Sequence, residues 1–162
     1  MADPAECIEK VNAMLIPESD ISTFVTVFYG VMDLKTGELS YCNGGHNLPY
    51  IQSKDGEVKE LENVGGLLLG KFEGIPYEKA TVQLNPGDTV VTFTDGVTEA
   101  EDDGEGFFDE ERVISYLEKH PGKSIEALVK GLFLEVMKFT AGADQSDDIT
   151  VLSVRFDPDS SE

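Results

Sequence analysis

The chain has 162 residues, with 12 Lys+Arg against 32 Asp+Glu for a formal net charge of −20, and is 40% hydrophobic and 9% aromatic. That length predicts a single domain that can bury a core without disulfides, and the composition is globular rather than disordered. Arginine occurs only at Arg112 and Arg155, which with the acidity excludes a nucleic-acid surface, because phosphates are met by clustered cations.

The longest mostly apolar stretch, Phe24 to Met32, falls far short of the roughly 20 residues that span a bilayer. No membrane insertion is expected. The acidic start Met1-Ala-Asp-Pro-Ala-Glu has no apolar signal-peptide core. Cys7 and Cys42 form neither a framework nor a ligand pair, and are expected as free thiols in a reducing cytoplasm.

The first segment, residues 1–17, reads as a helix. Asp3 caps it, Pro4 suits its first position, Glu6 completes a capping box, and Ile8, Val11 and Leu15 share a face up to Pro17. Strands follow across 21–94. Phe24 to Asp33 is apolar on both faces, as a strand between two layers would be. Lys35-Thr36-Gly37-Glu38 turns into Leu39 to Asn43, Gly44-Gly45-His46 leads to a strand near Leu48 to Gln52, and Lys54-Asp55-Gly56 turns into Val58 to Leu61. Gly65-Gly66-Leu67-Leu68-Leu69-Gly70 lacks phosphate-loop and dinucleotide spacing and reads as close backbone packing.

Ala80, Val82 and Leu84 alternate with Thr81 and Gln83 as a half-buried strand, and Asn85-Pro86-Gly87-Asp88 turns into the strand Thr89 to Thr94. Two helices occupy 109–139. Asp109 caps the first, through about His120, and Ser124 caps the second, with Ile125, Leu128, Val129, Leu132, Val136 and Phe139 as its apolar stripe. A final strand, Ile149 to Phe156 (within 148–156), precedes the acidic tail 157–162. Hairpin-linked strands with grouped helices indicate an antiparallel α+β domain.

Two places put carboxylates at strand ends. Thr94-Asp95-Gly96 directly follows one strand, and Ser146-Asp147-Asp148 directly precedes the last. If those strands are neighbours, Asp95 and Asp147 face each other and can share a hard divalent cation, which prefers carboxylate oxygen and keeps waters. The competing reading is structural: Asp-Gly is a common turn, and acidic doublets recur at Asp102-Asp103 and Glu110-Glu111. Glu99, Glu101, Asp103, Gly104 and Glu110 imitate an EF-hand calcium loop, but position 1 is Glu, position 8 is Gly106, and no entering helix precedes them. A solvated acidic loop accounts for them better. His46 and His120 read as structural, His46 in a glycine turn and His120 at a helix end, with no nucleophile paired to either.

Taken in order, Phe24 to Asp33, Gly37 to Pro49, Gly65-Gly66, Leu69-Gly70, Leu84 to Asp88, Thr94-Asp-Gly-Val-Thr-Glu-Ala100 and Ser146-Asp-Asp-Ile-Thr-Val151 resemble a known family. It is the sporulation stage II protein E (SpoIIE-like) serine phosphatases, a bacterial sigma-factor-regulating branch of the metal-dependent type 2C protein phosphatases. The resemblance covers nearly the whole chain.

It implies an α-β-β-α sandwich, two packed and mainly antiparallel sheets flanked by helices, with a two-metal Mn²⁺ or Mg²⁺ centre at one end. There a metal-bridging water attacks a phosphoserine or phosphothreonine in line, without a phosphoenzyme. Residue by residue, Asp95 and Asp147 occupy metal-ligand positions, and Asp148 and Gly96 are secondary. The implied substrate is a phosphorylated regulatory protein of the anti-sigma-factor-antagonist type.

The family's domains begin with a Gly-Asp-bearing segment that supplies a bridging Asp and that this sequence does not match. The domain is therefore expected to be N-terminally incomplete, weak in metal binding and activity, and open at a sheet edge that can self-pair as a homodimer. The alternative is a degenerate phosphatase-like module that binds a partner without catalysis.

Overall fold

The structure, a computed structural model, describes residues 3–18, 23–104, 106–141, 143, 145 and 147–158. The sequence assignments at 1–2, 21–22, Ser146 and 159–162 lie outside the described residues. In chain order the elements are helix α1 (Pro4–Leu15), strands β1 (Val27–Met32), β2 (Glu38–Gly44), β3 (Tyr50–Gln52), β4 (Val58–Glu60), β5 (Gly65–Gly66), β6 (Ala80–Gln83) and β7 (Thr89–Phe93), helices α2 (Asp95–Thr98), α3 (Asp109–Glu118) and α4 (Ile125–Phe139), and strand β8 (Val151–Arg155). The expected α+β class is present as two mostly antiparallel sheets with helices. They fall in two compact units, one containing the chain up to Leu48 and Glu62–Leu84, the other Pro49–Leu61 and Asn85–Asp157.

In the first unit β2 is central, antiparallel to β1 on one side and to β6 on the other, with β5 joining as a short parallel pair. Asp33 fixes the β1–β2 hairpin by accepting from the Lys35 and Thr36 amides at 2.8 and 3.2 Å. Those bonds hold its carboxyl below the usual carboxylate range. Gly65 lies so close to β2 that a Cβ would land on the Asn43 carbonyl, which is the close backbone packing expected of the glycine run. The expected strand from Phe24 begins only at Val27. It is half-buried rather than covered on both faces, and Phe24 and Val25 are exposed.

Helix α1 is capped as expected by Asp3, which accepts from the Ala5 and Glu6 amides and pairs with Lys79, and Pro4 takes the first turn. The Glu6 carboxylate, expected to complete a capping box, lies instead 3.5 Å from Lys10. Its inner face differs from the expectation: Val11 is 40% exposed, whereas Asn12 is 4% exposed beside Ile8. Apolar spacing cannot reveal this, because Asn12 is buried by polar contacts. Its amide donates to the Phe72 carbonyl at 3.0 Å and its carbonyl oxygen accepts from the Gly70 amide at 2.8 Å. Cys42 is fully buried among Ile8, Leu69 and Tyr77, and burial pushes its thiol up to about 11.

In the second unit the strand order is β4-β3-β7-β8, antiparallel throughout. Tyr50, Val91 and Phe93 from this sheet pack with Val113 and Leu117 of α3 and Leu128, Leu132 and Val136 of α4. Ser124 caps α4 by accepting from Ala127 at 3.2 Å. The cap position of α3 falls on Phe108 rather than on the expected Asp109, which is the first helical residue. The Asp109 carboxylate accepts from the Arg112 amide at 3.1 Å, at a φ of 58° that Asp tolerates better than most residues. Within the expected α4 stripe, Ile125 is exposed and Val129 only half-buried. Helix α3 stops at Glu118, short of His120, where the buried Gln52 amide donates to the Leu117 and His120 carbonyls. The last strand is correspondingly shorter than expected, starting at Val151 and ending at Arg155.

Replacing Asn12 by Ala leaves the Gly70 amide and Phe72 carbonyl without their side-chain partner. The expected loss is about 2 kcal/mol of unfolding free energy, from two net hydrogen bonds and their desolvation, read by urea denaturation with an unchanged slope.

Candidate metal centre

The register of β7 and β8 runs from Thr89 opposite Arg155 to Phe93 opposite Val151. Residues 94–96, leaving β7, and 147–150, approaching β8, therefore meet at the same end of the sheet. Thr94 joins them. Its amide donates to the Thr150 carbonyl at 3.1 Å, its hydroxyl donates to the Asp148 carbonyl at 2.7 Å, and the same hydroxyl accepts from the Thr150 amide at 3.0 Å.

Gly96 closes the junction from the other side. A Cβ there would stand 2.5 Å from the Asp148 carbonyl oxygen and 3.2 Å from that of Asp147. Only a residue without a side chain lets the two segments approach this closely.

The carboxylates sit on this junction. Asp95 opens the single-turn helix α2, and one of its oxygens accepts from the Gly96 amide at 3.0 Å. The Asp147 carboxylate accepts from the Asp148 backbone amide at 2.6 Å, and its carbonyl accepts from the Gln145 side-chain amide at 2.7 Å. Asp95, Asp147 and Asp148 are all exposed, while Gly96, Val97 and Thr98 behind them are buried. The four positions singled out from the sequence are thus gathered at one water-accessible end of a packed sheet.

As donors, this set consists of carboxylate oxygens open to water, which suits a hydrated hard cation of the Mg²⁺ or Mn²⁺ type. Among the described residues no group of three or more His, Cys, Asp or Glu side chains could hold a metal ion. The donor chemistry suits a partly hydrated cation, and these residues do not by themselves make a centre that bridges two.

Other sequence candidates have local uses. Asp102 accepts from the Gly104 and Gly106 amides at 2.9 and 2.8 Å, bonds that lower its carboxyl pKa and close a small hairpin in which Glu101 bridges Phe107. The loop is thus folded on its own backbone rather than arranged around an ion. His46 contacts the Thr26 hydroxyl at 3.2 Å, and the His120 Nδ1 donates to the Tyr116 carbonyl at 2.7 Å. Both arginines are engaged structurally: Arg155 donates to Thr89 and to the Lys123 carbonyl, and Arg112 lies over the Phe139 ring. A concavity between α3 and α4, lined by Arg112, Tyr116, Lys119, His120 and Phe139, shares no residue with the carboxylate junction. Sequence reasoning took Asp95 from the Thr-Asp-Gly motif and passed over Thr94, whose hydroxyl joins the halves.

A sequence model of the family described as Stage II sporulation protein E (SpoIIE) matches residues 1–157. The chain belongs to the SpoIIE family. It is 30% identical over 135 residues to Protein IcfG of Synechocystis sp., covering 83% of this chain and 21% of that protein. To the phosphoserine phosphatase RsbU of Bacillus subtilis it is 28% identical over 153 residues, covering 94% of this chain and 45% of that protein. The chain thus spans less than half the length of either relative.

Among solved structures, the SiaA-PP2C domain of Pseudomonas aeruginosa superposes with a TM-score of 0.84 at 24% identity, over 96% of this chain and 61% of its own. The Mn-presoaked SpoIIE phosphatase domain of Bacillus subtilis gives 0.68 at 20% identity, over 94% and 65%. RsbX in complex with magnesium gives 0.63 at 20% identity, over 91% and 62%. These likenesses establish the type 2C phosphatase fold for a SpoIIE-family chain.

Gly96→Ala is expected to force the Asp147–Asp148 backbone away and to lower stability by about 1–3 kcal/mol, the usual range for overpacking against atoms that cannot rotate aside. Thermal unfolding, with amide chemical shifts of residues 147–150 as the local readout, checks it.

Proposed function

We propose that this SpoIIE-family chain is a metal-dependent protein serine/threonine phosphatase domain. Its substrate on this reading is phosphoserine or phosphothreonine on a regulatory protein of the anti-sigma-factor-antagonist type. One observation carries the reading: Asp95 and Asp147, which the family resemblance assigns as ligands, stand on segments hydrogen-bonded to each other at one exposed sheet end. The family match runs across both compact units, which supports treating them as one functional domain.

Asp95 and Asp147 supply anionic oxygens, and Asp148 and Gly96 shape the backbone between them. When bound, Mn²⁺ or Mg²⁺ supplies Lewis-acid activation of water and screens a phosphate ester. That charge matters in a chain of −20 whose two arginines serve structural contacts. Exposure of the junction suits a phosphate borne on a protein loop rather than a small molecule in a deep pocket.

No helix among the described residues is long and apolar enough to cross a membrane. A cytoplasmic setting is part of the proposal, supported by Cys7 and Cys42 both being free thiols. A homodimer is a further part: β7 is the one strand partner of β8 among the described residues, and Leu152 and Val154 are exposed on β8.

A second reading, a partner-binding module without catalysis, is favoured by the absence of a third ligand group among the described residues.

Titration with Mn²⁺ by calorimetry, alongside hydrolysis of a phosphoserine peptide, tests the proposal. The expected result is low-affinity binding and slow turnover, with Asp95→Asn and Asp147→Asn each weakening binding at least about tenfold, or ~1.4 kcal/mol. Binding indifferent to both substitutions removes the site. Binding without any turnover favours the second reading, and fast turnover by the chain alone overturns the expectation of weak activity.

A further inference from the structure

Thr94 directly precedes Asp95 and bonds the segment that follows Asp147, but belongs to neither ligand position. Its hydroxyl makes two bonds in opposite senses, donating to the Asp148 carbonyl at 2.7 Å and accepting from the Thr150 amide at 3.0 Å. Together they fasten the turn bearing Asp147 and Asp148 to the residue directly before Asp95, across 54 residues of sequence.

One pleat back on the same strand, Thr92 makes a superficially similar contact. Its hydroxyl donates to the Leu152 carbonyl at 3.4 Å, within the regular ladder where Thr92 already faces Leu152. Beyond the Phe93–Val151 pair one more backbone bond follows, from the Thr94 amide to the Thr150 carbonyl at 3.1 Å. The hydroxyl of Thr94 adds to it and reaches further, to the Asp148 carbonyl next to Asp147.

We propose that Thr94 is a positioning residue for the cation site, its hydroxyl fixing the separation of Asp147 from Asp95. This inference rests on the metal reading above. A cation shared by two carboxylates gains affinity from both only if their spacing is set before it arrives. Otherwise part of the binding energy is spent ordering the turn. Valine keeps the shape and β-branching of threonine but can neither donate to Asp148 nor accept from Thr150. Serine retains both functions.

The test is Mn²⁺ affinity, measured by the electron paramagnetic resonance of the free ion, in the wild-type chain and in Thr94→Val, Thr94→Ser and Thr92→Val. Circular dichroism and the melting temperature of each variant confirm folding. Thr94→Val is expected to weaken Mn²⁺ binding about five- to tenfold, the size of one to two net hydrogen bonds. Thr94→Ser should stay within about twofold of wild type, and Thr92→Val should leave affinity unchanged even if it lowers the melting temperature.

Amide exchange at Thr150, faster in Thr94→Val than in Thr94→Ser, gives the metal-free counterpart. Wild-type-like affinity in Thr94→Val overturns the inference while leaving the metal reading intact, as does an equal loss in Thr94→Ser and Thr94→Val. Absence of Mn²⁺ binding by the wild-type chain overturns the metal reading and this inference with it.

Discussion

The antiparallel pairing of β7 with β8 is the constraint from which the candidate site follows. An antiparallel ladder brings the end of one strand beside the beginning of its partner, however long the chain between them. Here the intervening chain contains α2, α3 and α4, and the closing cost of such a loop grows only slowly with its length. The pairing is in turn held by what lies behind it: Val91 and Phe93 pack among Leu128, Leu132 and Val136 of α4. Slippage by one residue would turn this apolar set to the opposite face, so burial fixes the register and the register fixes which residues share the sheet end. Core packing thus determines the placement of exposed carboxylates that contribute nothing to the core.

Charge sets the second condition. With a net charge of −20, the field of the molecule attracts cations generally, but a diffuse field has no preferred seat and is screened within about 8 Å at physiological salt. Asp95 and Asp147 differ from the turn carboxylates in how much their oxygens already accept. Asp102 illustrates the contrast, its carboxylate already accepting two amides of its own loop. Asp33 does likewise in the β1–β2 turn. Asp147 holds the Asp148 amide through one oxygen and Asp95 the Gly96 amide through one oxygen. Each such carboxylate keeps its other oxygen and further lone pairs for water or a cation.

Much of this was legible in the sequence because it rests on local chemistry. Asp3-Pro4, Ser124 and the turns at Gly37, Gly56 and Gly87 announce themselves through capping and positive φ. Asp95 was legible as the residue that leaves β7, whereas Asp147 stands further from β8 than expected, because that strand starts only at Val151.

Other features were hidden because their cause is tertiary. Asn12 is inside through bonds to residues far along the chain, and no periodicity of apolar residues marks it. Val11 faces water for the same reason, since the helix turns its polar staple inward. Phe24 and Val25 are apolar but exposed, so an unbroken apolar run overstated how much of that strand is covered. Thr94 reads as an ordinary β-former. Its use depends on Asp148 and Thr150 being adjacent, which only the strand pairing reveals.

The fold and the chemistry consequently answer different questions. A type 2C architecture is specified by apolar patterning and turn chemistry, so it persists whether or not a complete ligand set is present. Catalysis depends on ligand count. A hard cation of the Mg²⁺ class completes about six oxygen positions, and two carboxylates leave most of them to water. An ion bound by Asp95 and Asp147 alone would keep most of its water and would be held weakly. On the proposed reading the scaffold's contribution is to fix the two segments in advance, and the contacts that join them are the Thr94 hydroxyl on the Asp148 carbonyl and the close approach of Gly96 to the same carbonyl.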